Sequence, residues 1–415
     1  MPGYDPAVAA ARPERSQLVR QPAVLHLACL LTLVATGCAS DVGSVVGGPA
    51  TMPTATVATP AIVTEPSSTS VVPETIATQP GESTTTVPAP TSLAVWPTPA
   101  NAIALPAPSG AAAVGVASTG FPDTIAFYPA VAGTGRGHHR YVDPVWATAA
   151  GLDPTQMDRV VSAAQIDATP APTNVPRPIV LLTPGWRSIV AFSTSLAEDL
   201  ASHGYVVLAT QTDVVAEWSH PKSTTEDRNK RFALLTHLLD FAETPALPVV
   251  VGPVDVHRIA VGGHSYAGTI AFDASITDRR ISVMIDIDGS ARGSTVRSPQ
   301  PRPALVLVTI DNGVPSDPLL GPLAARSPHI VPAGVIDALH LDVTDAASIP
   351  SVLGTSVFST LLGPIGKTGT TDASTIIRRF LDATLGTKKR QPTSTELVQG
   401  LPSATADPFG SAAPG

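Results

Sequence analysis

Between residues 121 and 386, short apolar runs of strand length alternate with segments of helical periodicity, and that alternation leaves few folds open. Strands are expected at 124–128, 179–183, 205–209, 258–261, 281–287, 304–310 and 329–335. Helical stretches fall between them. One runs from Phe192 to His203 and is closed by Gly204, read as a left-handed stop. A second, 225–243, carries Phe232, Leu235, Leu238 and Leu239 near helical spacing. A last amphipathic stretch holds Ile376, Ile377, Phe380, Leu381 and Leu385. Strands that read as continuous apolar runs are buried on both faces. The expectation is one α/β domain over residues 121–386, a mostly parallel sheet with helices on both faces.

Either side of that block the texture changes. Arg12, Arg15 and Arg20 precede the apolar run Ala23 to Val34, which is too short to span a bilayer, and the small residues Ala35-Thr36-Gly37 follow. This is the pattern of a secretory signal, expected over residues 1–37. Cys38 stands directly behind it, as in a bacterial lipobox, with Ala35 where Leu is usual. A diacylglyceryl group on that thiol would hold the chain to a membrane, at about 0.8 kcal/mol per buried CH₂. A lipid-anchored, exported protein is expected, with plain secretion as the alternative. Residues 38–120 read as a Thr/Pro/Ser-rich disordered tether and residues 387–415 as a disordered tail.

Charge and cysteine content narrow the partners. Lys and Arg number 25 against 33 Asp and Glu, so nucleic-acid binding has no electrostatic footprint. Of the two cysteines, Cys29 lies inside the leader and Cys38 directly behind it, which leaves the domain without disulfides or a Cys-based zinc site. His138 and His139 are adjacent and cannot grip one metal from one face. No metal and no organic cofactor is expected, and the oligomeric state is not legible.

The chemistry concentrates where the strand around Arg258–Val261 runs into Gly262-Gly263-His264-Ser265-Tyr266-Ala267-Gly268 and then a helix. A serine on a sharp strand-to-helix turn is a nucleophile elbow, and its flanking residues must be small because the chain nearly touches itself there. Gly354-Thr355-Ser356 copies half the pattern, but Phe358 stands where a small residue is required. A serine hydroxyl needs a base, oriented in turn by a carboxylate, in the order Ser, acid, His. Only His329 and His340 follow Ser265. His329 opens a strand; His340 lies in a loop after the last one and is the expected base. Asp286, Asp288 and Asp311 all end strands at the sheet's carboxyl edge. Spacing alone slightly favours Asp311. Two backbone N–H groups must hold a developing oxyanion, and Tyr266 and Trp186, the latter in the loop Leu182 to Arg187, are the expected donors.

Taken together, Pro178 to Gly185, Leu200 to Val207, Gly263-His264-Ser265-Tyr266 and Phe127-Tyr128-Pro129-Ala130 resemble the platelet-activating-factor acetylhydrolase and cutinase-like lipase group of α/β-hydrolases. The resemblance covers about residues 121–386. It implies an α/β-hydrolase fold and a serine hydrolase that cleaves carboxylic esters through an acyl-serine intermediate. It favours Asp288 as the acid, and it matches the group's His loop, with an Asp five residues on, to His340 and Asp345. Two positions depart from the group's pattern: Ala267 replaces its second glycine, and Arg187 stands where a small residue is usual. Trp186, Ile189, Val190 and Phe192 are expected to favour lipid-like or short-acyl esters. The competing reading is an envelope lipoprotein that keeps the fold as a non-catalytic binding module.

Overall fold

The computed structural model describes residues 92–290 and 298–410. The leader over residues 1–37, Cys38 and the stretch to residue 91 lie outside the described residues. Among the described residues, no helix is long and apolar enough to cross a membrane.

One large mixed sheet organises the domain. Its strands are β1 (Ala113–Ser118), β2 (Thr124–Ala130), β3 (Gln165–Ile166), β4 (Arg177–Thr183), β5 (Val206–Thr210), β6 (Val254–His264), β7 (Ile281–Ile287), β8 (Ala304–Asp311), β9 (Ile330–Ile336) and β10 (Ala404–Thr405). The spatial order is β10-β9-β8-β7-β6-β4-β5-β2-β1-β3. From β9 to β5 the strands are all parallel. β2 joins β5 antiparallel at one side, and β10 joins β9 antiparallel at the other. The seven expected strands are all present, within four residues at each end.

Strand alternation divides the core between the two faces. Val180 and Leu182 of β4 pack on one face with Leu196, Leu200, Ile376 and Phe380. Ile179 and Leu181 pack on the other with Leu235, Leu238 and Phe272. The first face is covered by α1 (Thr194–Ser202) and α5 (Lys367–Leu385), the second by α3 (Thr225–Ala242) and α4 (Tyr266–Thr277). A single α2 turn (Val214–Trp218) precedes α3. At the carboxyl edge a third cluster, including Tyr141, Ile189, Phe192, Leu341 and Phe358, forms a cap.

Two expected boundaries are corrected. The spacer expected through residue 120 ends earlier, because β1 lies inside it and pairs with β2 over its whole length. Val114 and Val116 are buried there, so this small-residue, charge-poor stretch is held by pairing and packing rather than by a strong pattern of its own. The tail expected from residue 387 also folds back. It forms α6 (Ser394–Val398) and β10, Leu397 is 1% exposed, and Arg379 Nη1 donates to Leu397 O and Gln399 O, both at 2.8 Å. A sequence that is polar on average can still dock by one apolar residue when a sheet edge awaits it.

Candidate active site

Ser265 is the only residue between β6 and α4. Its backbone sits at φ 59°, ψ −125°, a conformation that a non-glycine residue holds only when its surroundings impose it. The amide of Ser265 donates to Ile287 O at 2.8 Å. The need for small neighbours is steric. A Cβ on Gly263 would stand 2.3 Å from Thr183 O and 2.6 Å from Ala267 Cβ. Ala267 is buried and fits where the second glycine of the motif is usual.

Asp288 follows the end of β7 at φ 54°. That left-handed residue breaks the strand alternation that would have put Asp286 and Asp288 on one face. Asp288 Oδ2 lies 2.6 Å from His340 Nδ1. Its Oδ1 accepts from Thr309 N at 2.6 Å, Thr309 Oγ1 at 2.9 Å and Ser316 Oγ at 2.5 Å. Burial opposes its charge, yet the hydrogen bonds and the facing imidazole outweigh burial and hold the carboxyl below its ordinary range. Asp286 turns instead to Gly289 N at 2.8 Å, and burial pushes its pKa well up. Asp311, which spacing slightly favoured, is exposed and bonded by Asn312.

The loop carrying His340 is braced at its base: Asp342 Oδ2 accepts from Leu339 N and Gly363 N, both at 2.8 Å. His329 is exposed just ahead of β9. His264 Nε2 donates to His340 O at 2.7 Å, and the two rings stand 4.3 Å apart. Burial, then the neighbouring His340, drives the His264 pKa down to about 3, so this ring is neutral. Asp345, matched to the His loop by resemblance, reaches α1 rather than His340: it accepts from Ser195 N at 3.0 Å. The elbow meets the His340 loop through His264 Nε2 and His340 O, and Ser265 Oγ itself makes no hydrogen bond among the described residues, so its contact with the base is not closed. In unliganded sites such contacts are often long and tighten on substrate binding. Donor atoms of His264, Asp288 and His340 lie within 4.8 Å of one another, the spacing of a metal cluster. Two nitrogens of this group are already engaged, His340 Nδ1 with Asp288 and His264 Nε2 with His340 O.

The loop after β4 lies against the serine. A Cβ on Gly185 would fall 3.1 Å from Ser265 Cβ, so Trp186 and Tyr266 flank Ser265 from two sides. A buried ion pair props this loop. Arg231 and Glu217 meet at 2.6 Å, each side chain 4% exposed. Arg231 also donates to Pro184 O at 2.6 Å and Gly185 O at 2.9 Å, and Glu217 Oε2 accepts from Arg187 N at 2.7 Å. Sequence reasoning missed this pair. Its one signal is a charged residue on the buried face of a helix, Arg231 one turn before Leu235.

One substrate inference is corrected. Ile189, Val190 and Phe192 are buried, Phe192 edge-on to Phe358 at 5.2 Å, so they form the cap and the core rather than an open acyl surface. Trp186 alone of that group keeps exposure.

A mostly parallel sheet flanked by helices, with a serine elbow at the carboxyl end of a central strand, defines an α/β-hydrolase fold. Residues 155–307 match the family described as Chlorophyllase. Over 89 residues the chain is 32% identical to Cutinase est2 of Thermobifida alba, a match spanning 21% of this chain and 27% of the cutinase. A ferulic acid esterase from Streptomyces cinnamoneus superposes with a TM-score of 0.57 at 22% identity, over 73% of this chain and 98% of the esterase, which shows the shared fold.

Proposed function

We propose that this chain is a serine esterase. Ser265 Oγ attacks an ester carbonyl carbon, and its proton passes to His340 Nε2. Collapse of the tetrahedral adduct breaks the ester C–O bond, and the same proton leaves on the alcohol. Water then attacks the acyl-serine, giving its proton to His340, and the freed acid departs as Ser265 regains a proton. Asp288 holds the imidazole with Nδ1 protonated and stabilises it when charged. The N–H groups of Trp186 and Tyr266 receive the oxyanion.

The observation that carries this reading is the 2.6 Å bond between His340 Nδ1 and the buried Asp288 carboxylate, on a loop that His264 ties to the serine elbow. Similarity to a cutinase and the Chlorophyllase match support ester hydrolysis as the class of reaction. Short-acyl esters of the platelet-activating-factor acetylhydrolase kind rest on the sequence motifs alone. So do export and lipid anchoring at Cys38. A fluorophosphonate probe and a p-nitrophenyl ester test the reading together. Ser265 should be labelled, and Ser265→Ala should lose both labelling and about 1,000-fold or more in turnover. An unlabelled, inactive wild-type domain would leave the binding-module reading in its place.

A further inference from the structure

Arg187 occupies the position where a small residue is usual, two residues from the glycine that touches Ser265. Its backbone is left-handed, φ 59°. The side chain is pinned in place. The guanidinium carbon lies 4.4 Å from the centroid of the Trp186 ring and 4.7 Å from that of Trp218. Nε donates to Glu217 O at 3.1 Å, and Trp218 Nε1 donates to Arg187 O at 2.9 Å.

The pinning leaves a charge over. Glu217 is the carboxylate of this cluster, and it is already bonded to Arg231 and to the Arg187 amide. Two guanidinium groups against one carboxylate leave one positive charge. Among the described residues the Arg187 guanidinium enters no salt bridge, and its two terminal nitrogens make no hydrogen bond. The residue is partly exposed. A partly exposed guanidinium held against two indoles, with its terminal N–H groups unbonded among the described residues, offers a fork for a carboxylate or phosphate.

We propose that Arg187 is an anion-binding, specificity-determining residue beside the oxyanion loop, and that the enzyme prefers esters carrying a carboxylate or phosphate near the scissile bond. The substrate preference rests on the esterase reading; the anion site itself does not.

The test compares kcat/KM for matched esters. On the acyl side, mono-4-nitrophenyl glutarate is set against 4-nitrophenyl butyrate. On the alcohol side, 4-carboxyphenyl butyrate is set against its methyl ester. The wild type should favour the anionic member of at least one pair by about tenfold, the scale of one charge-assisted contact, and salt should erode the preference. Arg187→Gln should lower that ratio about tenfold whatever happens to the absolute rate, and Arg187→Lys should keep part of it. A purely structural role would lower both members alike, so ratios within twofold of wild type in Arg187→Gln overturn the proposal. An assay without turnover separates the two readings. Monomethyl glutarate should change tryptophan fluorescence in Ser265→Ala, and the added Arg187→Gln should abolish the change. That result without esterase activity would leave an anion site on a binding module; no fluorescence change together with unshifted ratios would sink the site itself.

Discussion

His340 Nδ1 and Asp288 Oδ2 stand 2.6 Å apart, with the carboxylate side chain fully buried and the imidazole 29% exposed. The asymmetry has a chemical use. The anion is sealed among Thr309, Ser316 and the ring, so it can only orient and compensate. The ring reaches solvent and can exchange a proton with it.

Asp288→Asn should lower turnover of a p-nitrophenyl ester by about 100- to 10,000-fold, because an amide at this point no longer fixes the tautomer. Asp311→Asn should change little, since that side chain is exposed at the end of β8. Steady-state kinetics on both variants decide the matter; an equal loss in the two would refute the orienting role of Asp288.

Arg231→Met leaves Glu217 buried without its cation and releases Pro184 O and Gly185 O. Breaking such a pair on one side costs about 3–5 kcal/mol. Calorimetry should show that loss, and kcat should fall more than KM rises as the loop beside Ser265 loosens.

Gly263→Ala inserts a methyl group into a gap of 2.3 Å to Thr183 O. Neither the β4 backbone nor Ala267 can yield cheaply. Loss of both folded yield and fluorophosphonate labelling is expected, and a well-folded, labelled variant would contradict the steric account of the elbow.

Glu198 and Asp345 are buried near one another, and burial pushes each pKa up to about 7 against the hydrogen bonds they accept, which lower it. Unfolded carboxyls titrate near about 4. Between about pH 4 and pH 7 the folded chain therefore holds protons that the unfolded chain has released, so these groups lose stabilising effect as pH rises. Glu198→Gln should reduce the fall in melting temperature between pH 5 and pH 8. A steeper fall in the variant would reverse the sign of the argument.

Leu397→Ala tests whether the C-terminal segment belongs to the domain. Removing a side chain that is 1% exposed should cost about 2–4 kcal/mol of stability. A melting curve superimposable on wild type would mean that the docking of α6 contributes nothing.

Local periodicity was enough to read the parallel strands, the helices that cover both faces and the serine between them, because strand length, helical spacing and small-residue requirements are written in neighbouring positions. Ser265 and His340 stand out for the same reason: a tight turn and a late loop are visible along the chain. The pairing of His340 with Asp288 rather than with Asp286 or Asp311 is different. It depends on a left-handed residue after β7 and on Thr309 and Ser316 arriving from β8 and the segment beyond it, which no spacing reports. The same holds for β1, for the docked end at Leu397, and for Arg231 with Glu217. In each case a weak local pattern is overruled by a partner far away in the chain, and burial rewards the contact only once both have been brought to it.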